Sequence, residues 1–203
     1  MRLRYSKWFA LAFTFAIQCL SQQMPADRPP VTINLYNDAR VPGPLLAKAT
    51  LEAAEIFHRA EVKIIWIDCS SWHALGASDP ACENPRGPSR LALRIVPWSF
   101  KSNDSVFGVA FLSPEGEGTY GNVFYDSVEK LHAEWRTEIA SVLGHVMAHE
   151  IGHLLLGTNA HSRTGIMCSN WQGKELRSVS MGTLLFTLPQ VESFKVRLSA
   201  LSR

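Results

Sequence analysis

Hydrophobic and polar residues follow strand-like patterns over much of the first half of the chain. Residues 31–36 and 90–98 alternate apolar and polar side chains, and this period-2 pattern predicts strands with one buried face. The run 62–68 is almost continuously apolar and β-branched, which predicts a strand covered on both faces. Residues 106–112 and 122–126 are two further short strand candidates, and we expect one of them to be a sheet edge.

Helical spacing dominates the second half. A first helix is predicted over about 45–60, after the Pro-Gly-Pro breaker at 42–44. Residues 135–156 are apolar almost all the way round a helix, which indicates a centrally buried element. A final helix is predicted over about 188–201, with Thr187 as its cap and a proline in the first turn. The predicted fold class is therefore α+β, a mixed sheet with packing helices.

The N-terminus has the layout of a secretory signal. In residues 1–22, basic side chains precede an apolar run at 8–17, and small or polar residues follow. An uncleaved N-terminal anchor is the alternative, whereas Cys19 lacks the small preceding residues of a lipoprotein signal. A proline-rich linker at 23–30 would lead into a single domain at 31–203. We therefore expect an exported protein, secreted or otherwise extracytoplasmic.

Charge and cysteine content narrow the range of partners. The formal net charge of +2 gives no broad basic face, so no nucleic-acid partner is expected. In an oxidising compartment, Cys69 and Cys82 are the natural disulfide pair, because they flank one proline-containing loop. Cys168 is then the odd cysteine. Three unpaired thiols are the alternative.

The stretch 148–167, AHEIGHLLLGTNAHSRTGIM, carries the candidate chemistry. His149 and His153 are four residues apart, so a helix places both imidazoles on one face, where they can reach one ion. Zinc accepts imidazole nitrogens, and a catalytic zinc site keeps three protein ligands and a water. Glu150, between the two histidines, could then exchange protons with that water as general base.

A third ligand must come from outside this pair. His145 continues the four-residue spacing, but it lies eight positions from His153, about 12 Å along a helix axis, which is too far for one ion. His161 is the better candidate, because Gly157 can end the helix in a left-handed conformation and turn the chain back. The remaining histidines have no such placement and are predicted to be ordinary: His58, His73 and His132.

In this stretch the sequence resembles the metzincin clan of zinc metallopeptidases, whose signature is H-E-x-x-H-x-x-G-x-x-H followed by a methionine in a tight turn. The resemblance implies a zincin fold with an active-site helix, a Met-turn and a C-terminal helix. It also implies a zinc cofactor and peptidase activity on peptides or proteins. His149, His153 and His161 would be the ligands, Glu150 the general base and Met167 the turn methionine.

The spacing departs from the family pattern. Gly157 follows His153 by four residues instead of three, and His161 follows it by eight instead of six, so the helix exit and the return loop must differ. Ser169 stands where some metzincins have a tyrosine, and no side chain for the oxyanion is identified.

Two alternatives stay open. One is a zincin with Glu175 as third ligand, and the other is an exported zinc-binding module without turnover. For the enzyme, we expect an extended substrate to pair with a strand edge within 106–126.

Overall fold

A computed structural model of the chain describes residues 29–70, 80–83, 89–98 and 106–200. The predicted signal segment and His73 lie outside these ranges. The described residues form five strands and six helices: β1 (Val31–Asn37), α1 (Gly43–Arg59), β2 (Ile64–Asp68), α2 (Pro80–Glu83), β3 (Arg90–Val96), β4 (Gly108–Phe111), β5 (Tyr120–Phe124), α3 (Tyr125–Trp135), α4 (Ile139–Leu156), α5 (Gly173–Ser180) and α6 (Leu188–Ala200).

The strands form one mixed sheet in the order β2-β1-β3-β5-β4. The first four of these strands run parallel, and β4 runs antiparallel to β5. Alternate residues of the central strands meet in rows on one face, for example Ile33 beside Leu91 and Leu35 beside Leu93. These side chains are at most 6% exposed. The period-2 alternation seen in the sequence therefore marks a real buried face.

Helices α1 and α4 pack closely against each other in the core of the domain. A Cβ atom on Gly144 of α4 would lie 2.7 Å from the backbone oxygen of Ala49 in α1, so the glycine allows the two backbones to approach. Helix α4 is buried along almost its whole length. It is long and apolar enough to cross a membrane, but its own domain covers most of it, as in the core helix of a soluble protein.

Helix α4 has a defined start and end. The side chain of Glu138 accepts a hydrogen bond from the backbone N–H of Ser141 at 2.9 Å, which caps the first turn. Gly157 ends the helix with φ of +67°, and its N–H donates to the carbonyl of His153. This is the left-handed exit that the sequence predicts.

The predicted disulfide between Cys69 and Cys82 is present, with the Cα atoms 5.6 Å apart. It ties the end of β2 to α2. The side chains of Asn34 and Tyr36 on β1 donate hydrogen bonds to the carbonyls of Ala81 and Cys82. The disulfide therefore holds α2 against the sheet.

Two sequence predictions need correction, and one helix was missed. The strand expected to be covered on both faces, β2, is only partly buried, with Ile65 39% exposed, and it is an edge strand of the sheet formed by the described residues. The long helix expected from about residue 135 begins at Ile139. A separate helix, α3, precedes it and ends at Arg136 in a left-handed conformation. Helix α5 was not predicted, because only Leu176 and Val179 in it are buried, which is too few for a clear period.

Candidate metal centre

Two histidines of α4 lie side by side in the interior. His149 is 9% exposed and His153 is 4% exposed, and their Nε2 atoms are 3.0 Å apart. The four-residue spacing on one helix produces this proximity, because residues i and i+4 share a face.

Backbone carbonyls hold both rings in a fixed orientation. The Nδ1 of His149 lies 2.7 Å from the carbonyl oxygen of Ile166, and the Nδ1 of His153 lies 2.8 Å from that of Thr158. A carbonyl oxygen can only accept, so each Nδ1 carries the proton. Each Nε2 therefore has a free lone pair, which is the tautomer a metal ligand needs.

His161 completes the group from the segment after α4. Its ring centroid lies 4.9 Å from that of His153 and 5.4 Å from that of His149. The nitrogen atoms of the three rings that could serve as ligands all lie within 4.8 Å of one another. The longer spacing is accommodated by an exposed return loop, which is closed where the N–H of Ser162 donates to the carbonyl of Met167.

The arrangement of the three nitrogens is unfavourable without a cation and suits a bound zinc ion. Two unprotonated nitrogens at 3.0 Å repel, whereas nitrogens on one tetrahedral zinc would be separated by about 3.3 Å. Protonation does not relieve the repulsion. Two effects lower the pKa of His149 to about 3: burial is the larger cause, and the neighbouring imidazole of His153 is the next largest. Burial also lowers the pKa of His153 and of His161. A cation is therefore the partner that this site favours.

Glu150 lies in the same cavity. Its side chain is 3% exposed, and it shares with the three histidines a cavity of about 280 Å³ between α4 and β4. Residues 106–110 form the opposite wall. The cavity thus combines three imidazole rings that could hold a metal ion, one carboxylate and the strand β4.

Met167 lies directly beneath the metal-ligand helix. It is fully buried, and a Cβ atom on Gly152 would lie 2.7 Å from its sulfur. The glycine inside the H-E-x-x-H stretch therefore makes room for the methionine. Gly165 turns the chain with φ of +77°. The neighbouring Ile166 contributes the carbonyl that holds His149.

Trp171 belongs to the site but was missed in the sequence. It is 3% exposed, lines the cavity, and its ring lies edge-on to His149 at 5.8 Å between centroids. It also packs against Phe107 at 5.8 Å. Only its position four residues after Met167 could have pointed to it.

The other singled-out histidines lie away from the metal group. His145 is fully buried with its Nδ1 2.8 Å from the carbonyl of Ser141, so it packs one turn before the site. Burial lowers its pKa to about 4. His58 is exposed, and the Nδ1 of His132 lies 2.6 Å from the carbonyl of Thr137.

Glu175 and Cys168, two further residues considered in the sequence, are not part of the three-histidine group. The carboxylate of Glu175 accepts a hydrogen bond from the N–H of Gln172 in the capping box of α5, and it lies outside the group of possible metal ligands found in the described residues. Cys168 is a free cysteine, partly buried, in the wall of the cavity. Ser169 also lines the cavity.

Comparison with known proteins rests on structure. No protein-family model matches the chain, and no curated protein matches its sequence significantly. The chain is similar to a zinc-dependent peptidase from Methanocorpusculum labreanum, with a TM-score of 0.52 and 18% identity over 80% of this chain and 99% of that one. It is also similar to archaemetzincin from Methanopyrus kandleri, with a TM-score of 0.51 and 18% identity over 83% of this chain and 96% of that one.

At this identity the likeness establishes the fold. One similar structure is a zinc-dependent peptidase and the other an archaemetzincin, and the mixed five-stranded sheet with packing helices matches their α+β fold. The α+β fold predicted from the pattern along the chain, and its zincin-like form implied by the stretch 148–167, are therefore confirmed: the chain has the fold of the archaemetzincin-like zinc peptidases.

Proposed function

We propose that the protein is a zinc-dependent endopeptidase. The observation that carries the proposal is the convergence of three imidazoles and one buried carboxylate in a single cavity beside an edge strand. The fold shared with a zinc-dependent peptidase and an archaemetzincin supports it. His149, His153 and His161 would hold the ion. When bound, zinc supplies Lewis-acid activation of a water and of the substrate carbonyl.

Glu150 acts as the general base. Its carboxylate lies in the cavity next to the first ligand, where it can take a proton from the attacking water and deliver it to the nitrogen of the leaving amine. A site with a purely structural metal needs no such carboxylate, because it closes its fourth position with protein. The buried carboxylate therefore favours the enzyme over a binding module without turnover.

The substrate is an extended peptide that adds to the sheet. Among the described strands, β4 pairs with β5 alone, and residues 108–110 of β4 line the metal cavity. An extended chain can hydrogen-bond to the unpaired side of β4 and so bring a peptide carbonyl to the metal. This arrangement suits peptide and protein substrates.

Export from the cytoplasm is part of the proposal. The signal-like N-terminal pattern supports it, and so does the Cys69–Cys82 disulfide, since such bonds persist mainly in oxidising compartments. Cell fractionation followed by N-terminal sequencing of the mature protein tests this part. Retention of the full-length chain in the cytoplasm would contradict it.

Glu150→Gln tests the mechanism. The variant should bind zinc stoichiometrically but cleave unstructured casein at least about 100-fold more slowly, the range that a general base contributes. A chelator should abolish cleavage by the unmodified protein. Glu134→Gln, an exposed position on α3, is the matched control and should cleave normally. Stoichiometric zinc without any cleavage by the unmodified protein would reject the enzyme and favour the binding module.

A further inference from the structure

The first residue of β4, Gly108, lies directly against the proposed general base. It pairs with Val123 of β5 and faces α4. A Cβ atom built on Gly108 would lie 2.6 Å from both Cγ and Cδ of Glu150. Real Cβ atoms do not approach other heavy atoms this closely. The side chain of Glu150 therefore packs on bare backbone, in space that any other residue at position 108 would fill.

The strand cannot easily move away to make that space. The same Cβ atom would lie 2.5 Å from the backbone oxygen of Asn122, which belongs to the paired strand β5. A shift of β4 would break the register that joins it to β5. The side chain of Glu150 is the softer of the two partners, so its displacement relieves one of the two overlaps. The overlap with the oxygen of Asn122 is the same whether or not residue 150 carries a carboxylate.

Glu150 can move away from an added Cβ atom in few ways. Its backbone lies in the middle of the buried helix α4, between two histidines whose rings are held by carbonyls. Only its side-chain torsions can change, and they move the carboxylate relative to the metal ligands. Misplacement of a catalytic group by 1 Å can cost about 100-fold in rate.

We propose that Gly108 is a positioning residue for Glu150: the absence of a side chain on the edge strand sets where the carboxylate lies beside the three histidines. This inference rests on the proposed function for its effect on catalysis. The contact itself is independent of activity.

Gly108→Ala tests the catalytic consequence in the full-length zinc-loaded protein. Zinc should remain stoichiometric because the histidines are untouched. The value of kcat should fall at least about tenfold, and KM should change less than about threefold. Gly121→Ala on β5 is the matched control. Its Cβ atom would lie 3.3 Å from the oxygen of Val109 and 3.6 Å from Leu93, so kcat should stay within about threefold. An unchanged kcat in Gly108→Ala would overturn the proposal.

A double-mutant cycle tests the contact without any turnover. Gly108→Ala should shift the thermal midpoint of the zinc-free protein at least about twofold less in a Glu150→Ala background than in the unmodified one, because the clash with the carboxylate is gone. Equal shifts in the two backgrounds would overturn the proposal. If Gly108→Ala does not fold alone, folding of the double variant supports the contact, and failure of both to fold overturns it.

The two tests separate the two proposals. Coupling in the cycle together with an inactive unmodified protein would reject the peptidase and keep the contact between Gly108 and Glu150. Normal peptidase activity without coupling would do the reverse.

Discussion

The metal group is drawn from two very different regions of the molecule. His149 and His153 lie in a buried helix, and each donates a hydrogen bond from Nδ1 to a carbonyl. His161 lies in an exposed loop, and its ring makes no hydrogen bond to the residues that the structure describes. In the proposed zinc site, the helical pair is therefore part of the fold as well as of the site, whereas the role proposed for His161 is metal binding alone. Folding stability and metal affinity should separate accordingly.

His149→Ala should have the largest effect, because it removes a ligand and a buried contact together. Outer-shell changes already cost about 10–100-fold in metal affinity, so loss of a ligand should cost more than about 100-fold. The zinc-free protein should also lose about 2–3 kcal/mol of unfolding free energy, since the carbonyl of Ile166 loses its donor and a cavity remains. Chelator-competition titration and urea denaturation measure the two effects. Unchanged zinc-free stability would contradict the comparison.

The helical region was also the easier one to predict. The spacing of His149 and His153, the glycine exit at Gly157 and the apolar character of α4 are all local properties of the sequence. Helical geometry converts them directly into position. The strands β1 and β3 were predicted for the same reason, since alternation along a strand reports its buried face.

What was missed depends on contacts between segments distant in the chain. The apolar run in β2 matches a strand covered on both faces, but the order of strands leaves β2 at an edge. Trp171 and Gly108 belong to the site only because the segment before α5 and the strand β4 fold back beside α4. Neither residue carries a chemical signature, and no period or spacing rule brings them to Glu150.

His161→Ala should affect the metal without affecting the fold. His161 is exposed, and its ring contacts are with the rings of His149 and His153 at the edge of the cavity, so the unfolding free energy of the zinc-free protein should stay within about 0.5 kcal/mol. Zinc affinity should still fall more than about 100-fold. Glu175→Ala is the control, because its carboxylate caps α5 and zinc affinity should not change. If Glu175→Ala lost zinc and His161→Ala kept it, the assignment of the third ligand would be wrong.

The same contrast predicts how the zinc-free protein responds to acid. Burial lowers the pKa of His145 to about 4 and that of His149 to about 3, from an ordinary value of 6.5. Between these values the unfolded chain binds more protons than the folded one, so stability is complete above about pH 6.5 and is lost as the pH falls. From pH 6.5 to 5.5 each buried imidazole should cost about 1 kcal/mol.

Urea denaturation at pH 6.5 and 5.5 checks this smallest effect and divides it between the two regions. His149→Ala should reduce the pH-dependent loss, because one of the three buried imidazoles of α4 (His145, His149 and His153) is gone. His161→Ala should keep most of it, since the more exposed ring of His161 is protonated at less cost. Equal pH dependence in His149→Ala and the unmodified protein would mean that protonation of His149 costs no stability. The predicted difference between the helical histidines and His161 in the cost of protonation would then be wrong.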